Sequence, residues 1–228
     1  MNDNRSIFVI IPCYNEARVI RKTVTEVLEK GYSVVVVDDC STDRSKKQLL
    51  GLPIYYLRHR INMGQGAALQ TGIDFAKKKG AEYFVTFDAD GQHDPNDIAG
   101  MVGLIEKEKT DIVFGSRFLA GSKTNVSGSR TFVLNVARYV NYLVSGILLS
   151  DAYNGLRLFD RKAAESIKLT ENKMAHATQI QVLAAKHKLN YSEYANSIHY
   201  NEYTTGKGLR NWDGIKIFFE VLLYKIFQ

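Results

Sequence analysis

"YSVVVVDD", Tyr32–Asp39, is four consecutive valines closed by two carboxylates. A β-branched run without alternation reads as a strand buried on both faces. Such a strand belongs to a parallel sheet with helices above and below it. The two acids then sit where the strand leaves the sheet. In open parallel sheets that edge, past the carboxyl ends of the strands, is where ligands bind.

The pattern repeats through the first half of the chain. "SIFVIIP" (Ser6–Pro12), "IYYL" (Ile54–Leu57), "YFVTFD" (Tyr83–Asp88) and "DIVFGS" (Asp111–Ser116) predict four more strands. Val19, Ile20, Val24, Val27 and Leu28 mark one face of a helix after the first strand. "GAALQTGIDFAKKKG" (Gly66–Gly80) predicts a helix stopped by glycine. "DPNDIAGMVGLIEKE" (Asp94–Glu108) predicts one with Asp94 as N-cap and Pro95 in its first position. Strands alternating with helices give an α/β fold with a mostly parallel sheet. The second half is less regular. "TFVLNVARYVNYLVSGILL" (Thr131–Leu149) and "MAHATQIQVLAAKHK" (Met174–Lys188) each predict a helix, and "GIKIFFEVLLYKIFQ" (Gly214–Gln228) is an apolar tail with interleaved charges.

Composition bounds the function. The 228 residues are 45% hydrophobic and 24% charged, the profile of one globular domain. Net charge is +6 and the pI about 9.1, which favours anionic partners. Zinc spacing and a dense basic helix face are both missing from the sequence, so nucleic acid is not expected. Two cysteines, Cys13 and Cys40, make no disulfide framework, and the start of the chain does not read as a signal peptide. A cytoplasmic setting is expected. No apolar run reaches 18 residues, so no transmembrane helix is expected.

The polar clusters Tyr14-Asn15-Glu16, Asp38-Asp39 and Asp88–Asp90 all fall at strand ends. Asp88 and Asp90 are two apart, so on extended backbone both face one side and reach one cation. Carboxylate oxygens suit Mg²⁺ or Mn²⁺, which keep positions open for phosphate. The pair alone is weak: with 13 aspartates, about 0.7 such matches arise by chance. Asp38 and Asp39 have two open readings, as caps near Ser41–Thr42 or as ligands of a nucleotide ribose or base. Asn15 and Glu16 read as caps of the first helix, as ligand contacts, or as both.

"IPCYNE", "VVVDDCSTD", "NMGQGAALQTG", "FDADGQH" and "GSRF", in that order, resemble the nucleotide-sugar-binding half of family 2 glycosyltransferases with the GT-A fold. "DAYNGLRLFDRKA", "MAHATQI" and "YNEYTTGKG" resemble the branch of dolichyl- and polyprenyl-phosphate sugar synthases. Many of those enzymes carry Arg before the Gly-Lys and Ser after it, where this chain has Thr205-Gly206-Lys207-Gly208. The resemblance implies a GT-A domain over residues 1–212. Residues 1–118 would bind the donor, 119–212 the acceptor, and 213–228 would form an amphipathic helix.

It also implies residue roles. Pro12, Tyr14, Glu16, Asp39, Asn62, Gly64, Gln65, Asp88, Ala89 and Asp90 would bind the nucleotide sugar. Asp90 would be the main ligand of Mn²⁺ or Mg²⁺, with Asp88 and Gln92 assisting; His93 reads as a ligand or as a helix-entry residue. Arg117, Arg157 and Lys207 would hold the acceptor phosphate, Arg117 having a surface ion pair as its other reading. Asp151 is the base to nominate for a hydroxyl acceptor, and it equally suits orienting Arg157.

The activity implied is inverting transfer from a UDP-sugar, such as UDP-GlcNAc or UDP-glucose, to polyprenyl (undecaprenyl) phosphate in cell-wall or surface polysaccharide synthesis. A soluble transferase acting on a glycan hydroxyl is the alternative, and a nucleotide-binding module without turnover is a third. A lipid acceptor implies a peripheral position at the inner face of the membrane. The tail from Ile215 would then lie in the interface, dock on a small membrane-protein partner, or pack on the core. Thr131–Leu149 would be core or a lip at the lipid entrance.

Overall fold

The computed structural model describes residues 6–122, 128–173 and 175–199, with the side chains of 128–133 left aside. The tail from Gly214 and Lys207 lie outside the described residues.

Strands β1 (Ile7–Cys13), β2 (Ser33–Asp38), β3 (Tyr55–Arg58), β4 (Tyr83–Thr86), β5 (Ile112–Ser116), β6 (Arg157–Phe159) and β7 (Tyr191–Ala195) form one sheet, in the order β3-β2-β1-β4-β6-β5-β7. β1 pairs in parallel with β2 and β4, β2 with β3, and β5 with β7. β6 alone runs antiparallel, wedged between β4 and β5.

The valine run behaves as its composition demands. Val34 to Val37 are at most 1% exposed. Val35 and Val37 join Ile10, Phe84, Phe114 and Phe159 in a core on one face of the sheet. Val34 and Val36 join Val9, Ile11 and Leu158 in a core on the other. Strand residues alternate faces, and both faces are covered, so polar positions are confined to the strand ends.

Helices α3 (Gln65–Lys78), α6 (Arg161–Ser166) and α7 (His176–Lys186) cover the first face, through Ile73, Ala163 and Ile180. α1 (Ile20–Leu28) and α4 (Asp97–Glu108) cover the second, through Val24 and Met101. The short α2 (Ser45–Gln48) follows β2. α4 begins two residues later than the Asp94-capped helix expected from sequence, with Asn96 in place of Asp94 at the N-cap. The Asp94 carboxylate accepts from the Asn96 N–H at 2.9 Å and closes a local turn instead.

α5 (Gly128–Ser145) corresponds to the apolar stretch at Thr131–Leu149. Its inner face packs on α7, where Asn141 Nδ2 donates to Gln181 Oε1. Its outer face exposes Val136, Tyr139 and Tyr142. Among the described residues no helix is long and apolar enough to cross a membrane.

α3 lies unusually close to the sheet. A Cβ on Gly72 would stand 2.3 Å from Ile10 Cγ2 and 3.3 Å from Val37 Cγ2. Gly72→Ala should therefore cost about 1–3 kcal/mol through overpacking. Gly103→Ala is the control: a Cβ there meets nothing within 4 Å, and alanine favours a helix by roughly 0.5–1 kcal/mol. Urea unfolding of the two variants should show opposite shifts in midpoint.

Candidate active site

A cleft of about 410 Å³ opens at the carboxyl ends of β1, β2 and β4. Its first wall is two loops clasped together. Asn15 follows β1 with a left-handed φ of 57°, and its side-chain oxygen accepts from the Thr42 N–H at 2.8 Å. In return the Asn15 and Glu16 N–H groups donate to Ser41 and Ser45 hydroxyls at 3.0 and 2.9 Å. Asn15 thus ties two loops together and caps no helix; α1 starts at Ile20 without a side-chain cap. Glu16 contributes its backbone oxygen, which accepts from Val19 and Ile20. Pro12, Tyr14 and Glu16 line the cleft.

The two aspartates of the opening stretch separate in role. Asp38 is fully buried; it accepts from the Ser41 N–H at 2.7 Å and from the Tyr56 hydroxyl. Its place is in the scaffold, where it closes the turn after β2; it caps no helix, since α2 starts at Ser45 without a side-chain cap. Asp39 lines the cleft. It gathers the loop after β3, accepting from the Met63 N–H at 2.8 Å and the Gly64 N–H at 2.6 Å. Gly64 adopts φ 98°, and a Cβ there would stand 2.1 Å from the Asn172 carbonyl oxygen. Glycine is needed for that close approach, which seats the segment before α7 on the start of α3. Gly64 itself does not line the cleft, and Asn62 is exposed outside it; Gln65 lines it.

Asp88, Ala89 and Asp90 form the floor. Asp88 accepts from Gln65 Nε2 at 3.1 Å and contacts His93 Nε2 at 3.0 Å. The Asp88 side chain is 32% exposed. Burial pushes its carboxyl up, but the hydrogen bond and charge of His93, with Arg157 nearby, bring it below its ordinary range. Asp90 goes the other way: burial, then the charge of Asp88, raise it to about 6. His93 is thereby a partner of Asp88 that faces away from the cleft lining. Gln92 is likewise absent from the lining; its N–H donates to Asp90 Oδ1 at 3.1 Å.

Opposite the carboxylates stands Arg157, 2% exposed. It opens β6, in register with Thr86 of β4 and Phe114 of β5. Burial lowers its guanidinium to about 10, and what holds it charged is the field of Asp88 and Asp151; no hydrogen bond contributes. Gly155 makes the approach possible, since a Cβ there would stand 2.1 Å from Asp88 Oδ2. Tyr153 and His176 complete this wall. Burial and the charge of Arg157 push His176 down to about 4, so it is neutral at pH 7, while its Nδ1 lies 2.6 Å from the Lys173 carbonyl. Sequence reasoning missed both residues. Their only signal was membership of the stretches "DAYNGLRLF" and "MAHATQI".

Arg117 and Asp151 lie outside the cleft lining. Arg117 Nε and Nη2 donate to the two Asp151 oxygens at 2.6 and 2.8 Å, and the Arg117 N–H and Asn154 Nδ2 add bonds at 3.1 Å each. The Asp151 side chain is 1% exposed. Three of these bonds go to Oδ2 and one to Oδ1, so the carboxylate is held inside a buried, hydrogen-bonded pair and is not presented to the cleft. The pair is also buried, where a surface ion pair had been the other reading for Arg117.

The glycosyl transferase family 2 profile matches residues 8–168. The chain belongs to glycosyl transferase family 2. An uncharacterised protein of Methanocaldococcus jannaschii is 34% identical, over 97% of this chain and 93% of its own length. The UDP-N-acetylglucosamine–dolichyl-phosphate N-acetylglucosaminyltransferase of Methanococcus voltae is 30% identical, over 98% of this chain and 97% of its own. Glucosyl-3-phosphoglycerate synthase of Mycobacterium tuberculosis, solved with Mn²⁺, UDP and glucosyl-3-phosphoglycerate, has a TM-score of 0.71 at 16% identity. It covers 96% of this chain and 77% of that one. The mostly parallel sheet flanked by helices is therefore a GT-A fold.

A divalent cation fits the carboxylate floor. Asp88 and Asp90 would hold it; among the described residues no third His, Cys, Asp or Glu joins them in a ligand cluster, and water or donor oxygens would supply further ligands. Burial and then the charge of Asp88 raise Asp90, and a bound ion would relieve the second. The sign of that shift gives a prediction. Between an ordinary carboxylate value of about 3.9 and about 6, the folded chain holds more protons than the unfolded one, so stability falls as pH rises through that window. Asp90→Asn should accordingly raise Tm at pH 7 by ~2–4 °C, while abolishing the further rise that Mn²⁺ with UDP gives the wild type. Differential scanning fluorimetry reads both.

Proposed function

We propose that this enzyme transfers a sugar from a UDP-sugar, UDP-N-acetylglucosamine or UDP-glucose, to polyprenyl phosphate with inversion at the anomeric carbon. The carrying observation is the pairing of Asp151 with Arg117. Asp151, the carboxylate nominated as base for a hydroxyl acceptor, is held by Arg117 away from the cleft lining. A phosphate acceptor is anionic at pH 7 and requires no base. The relative from Methanococcus voltae, matched along its whole length, is named for transfer to such a lipid phosphate.

The residues divide the work. Pro12, Tyr14, Glu16 and Asp39 hold the nucleoside end of the donor, and Asp88 and Asp90 hold a Mn²⁺ or Mg²⁺ against its diphosphate. When bound, that ion offsets the charge growing on the leaving nucleotide. A lipid phosphate oxygen forms the new bond to the anomeric carbon as the bond to the diphosphate oxygen breaks, and UDP leaves with the electron pair. Arg157 screens the two phosphates from each other at the reacting end. A buried guanidinium fixed in place does this without reorganising during the reaction. Lys207 is a further contact for the acceptor phosphate. The tail beyond residue 212 holds the enzyme at the inner face of the cell membrane, alone or with a small membrane protein, where the product feeds surface polysaccharide synthesis.

Radiolabelled UDP-N-acetylglucosamine or UDP-glucose, with polyprenyl phosphate and Mn²⁺, should yield label that partitions into organic solvent. That product should resist mild base and be released by mild acid. Label found only on a glycan hydroxyl, with no dependence on the lipid, would replace this reading with the soluble transferase. In the same assay Arg157→Gln should lower kcat by roughly 10²-fold, with Arg157→Lys recovering part of it because only the charge is restored.

A further inference from the structure

We infer that His59 and Thr71, which do not line the cleft, are positioning residues that fix Asp39 for the nucleoside end of the donor. The inference rests on the nucleotide-sugar reading above. His59 follows β3, with its side chain 10% exposed. Its Nδ1 lies 2.7 Å from Asp39 Oδ1, and its Nε2 lies 3.0 Å from the Thr71 hydroxyl on α3. A carboxylate only accepts, so Nδ1 carries the proton.

Asp39 thus takes three hydrogen bonds, from His59 and from the Met63 and Gly64 N–H groups. Two oxygens offer about four acceptor positions. One remains on a group that lines the cleft. A single fixed acceptor selects a donor, such as an imide N–H of a base or a ribose hydroxyl.

Thr71 gives the arrangement its frame. It lies on the same helix as Gln65, which holds Asp88 Oδ1 at 3.1 Å. One rigid helix therefore braces both ends of the donor site. Gln65 sets the carboxylate at the diphosphate end, and Thr71 sets Asp39 at the nucleoside end through the imidazole. The spacing between the two ends is set by α3.

The test is calorimetric binding of UDP, and separately of inorganic pyrophosphate, each with Mn²⁺, combined with steady-state kinetics. His59→Leu should weaken UDP about 10-fold or more and raise KM for the UDP-sugar by a similar factor. Pyrophosphate binding and kcat should stay within about 3-fold. His59→Asn, which returns an N–H near the Nδ1 position, should recover most of the loss. Thr71→Val, which keeps the side-chain shape, should fall between and carries the test if His59→Leu does not fold. Equal weakening of UDP and pyrophosphate, or unchanged UDP binding, overturns the inference while leaving the nucleotide reading intact. A wild-type chain that binds neither UDP nor GDP overturns both.

Discussion

Two carboxylates set two residues apart at the edge of a buried sheet repel each other, and the rest of the site answers that repulsion. The answer is asymmetric. Asp88 is given His93, Gln65 and the field of Arg157, and stays ionised. Asp90 is given one backbone N–H and bears the remaining cost as a raised proton affinity. A site that satisfied both acids internally would leave nothing for a cation to do. Leaving one of them under-compensated, in a position where burial adds to the repulsion, leaves an electrostatic demand that a proton or a bound cation would meet.

The reversed strand is what makes the opposite wall cationic. In a sheet of parallel strands every carboxyl end meets the same edge, and the residues delivered there come from loops. β6 runs the other way, so it delivers its first residue, Arg157, to that edge on rigid backbone between β4 and β5. Gly155, two residues earlier, lets the turn into β6 pass against the Asp88 carboxylate. The wedge costs the sheet its parallel continuity and gains a guanidinium held on rigid backbone facing the carboxylate floor. Preorganised charge of that kind is worth more in a desolvated cleft than on a mobile side chain.

How legible this was depended on the range of the interaction. The valine run of β2, the apolar runs of β1, β4 and β5 and the amphipathic helices announce themselves within windows of a dozen residues. So does the gathering of acids at strand ends. β6 is three residues, Arg-Leu-Phe, too short for any periodicity, and its direction is set by partners some 70 residues away in sequence. The Arg117–Asp151 pair joins residues 34 apart, and neither local sequence shows that each consumes the other. His176 reads locally as a polar helix residue; only its packing against Gly66 at the start of α3 makes it a wall of the cleft. Asp94 shows the complementary failure. Its local signal was strong, but turn chemistry two residues long competed with the helix cap and won.

The buried Arg117–Asp151 pair braces the corner that leads into β6. Burying an ion pair is costly unless its hydrogen bonds are complete, and here Asn154 and the Arg117 backbone complete them, with Asn154 in turn bonded to Asn196. That network ties the turn after β5 to the segment before β6 and to the chain leaving β7. β6 carries Arg157, β5 flanks it, and β7 lies on the far side of β5. The fold has therefore committed this acid to holding the corner between β5 and β6 in place, and with it the strand that delivers Arg157 to the cleft.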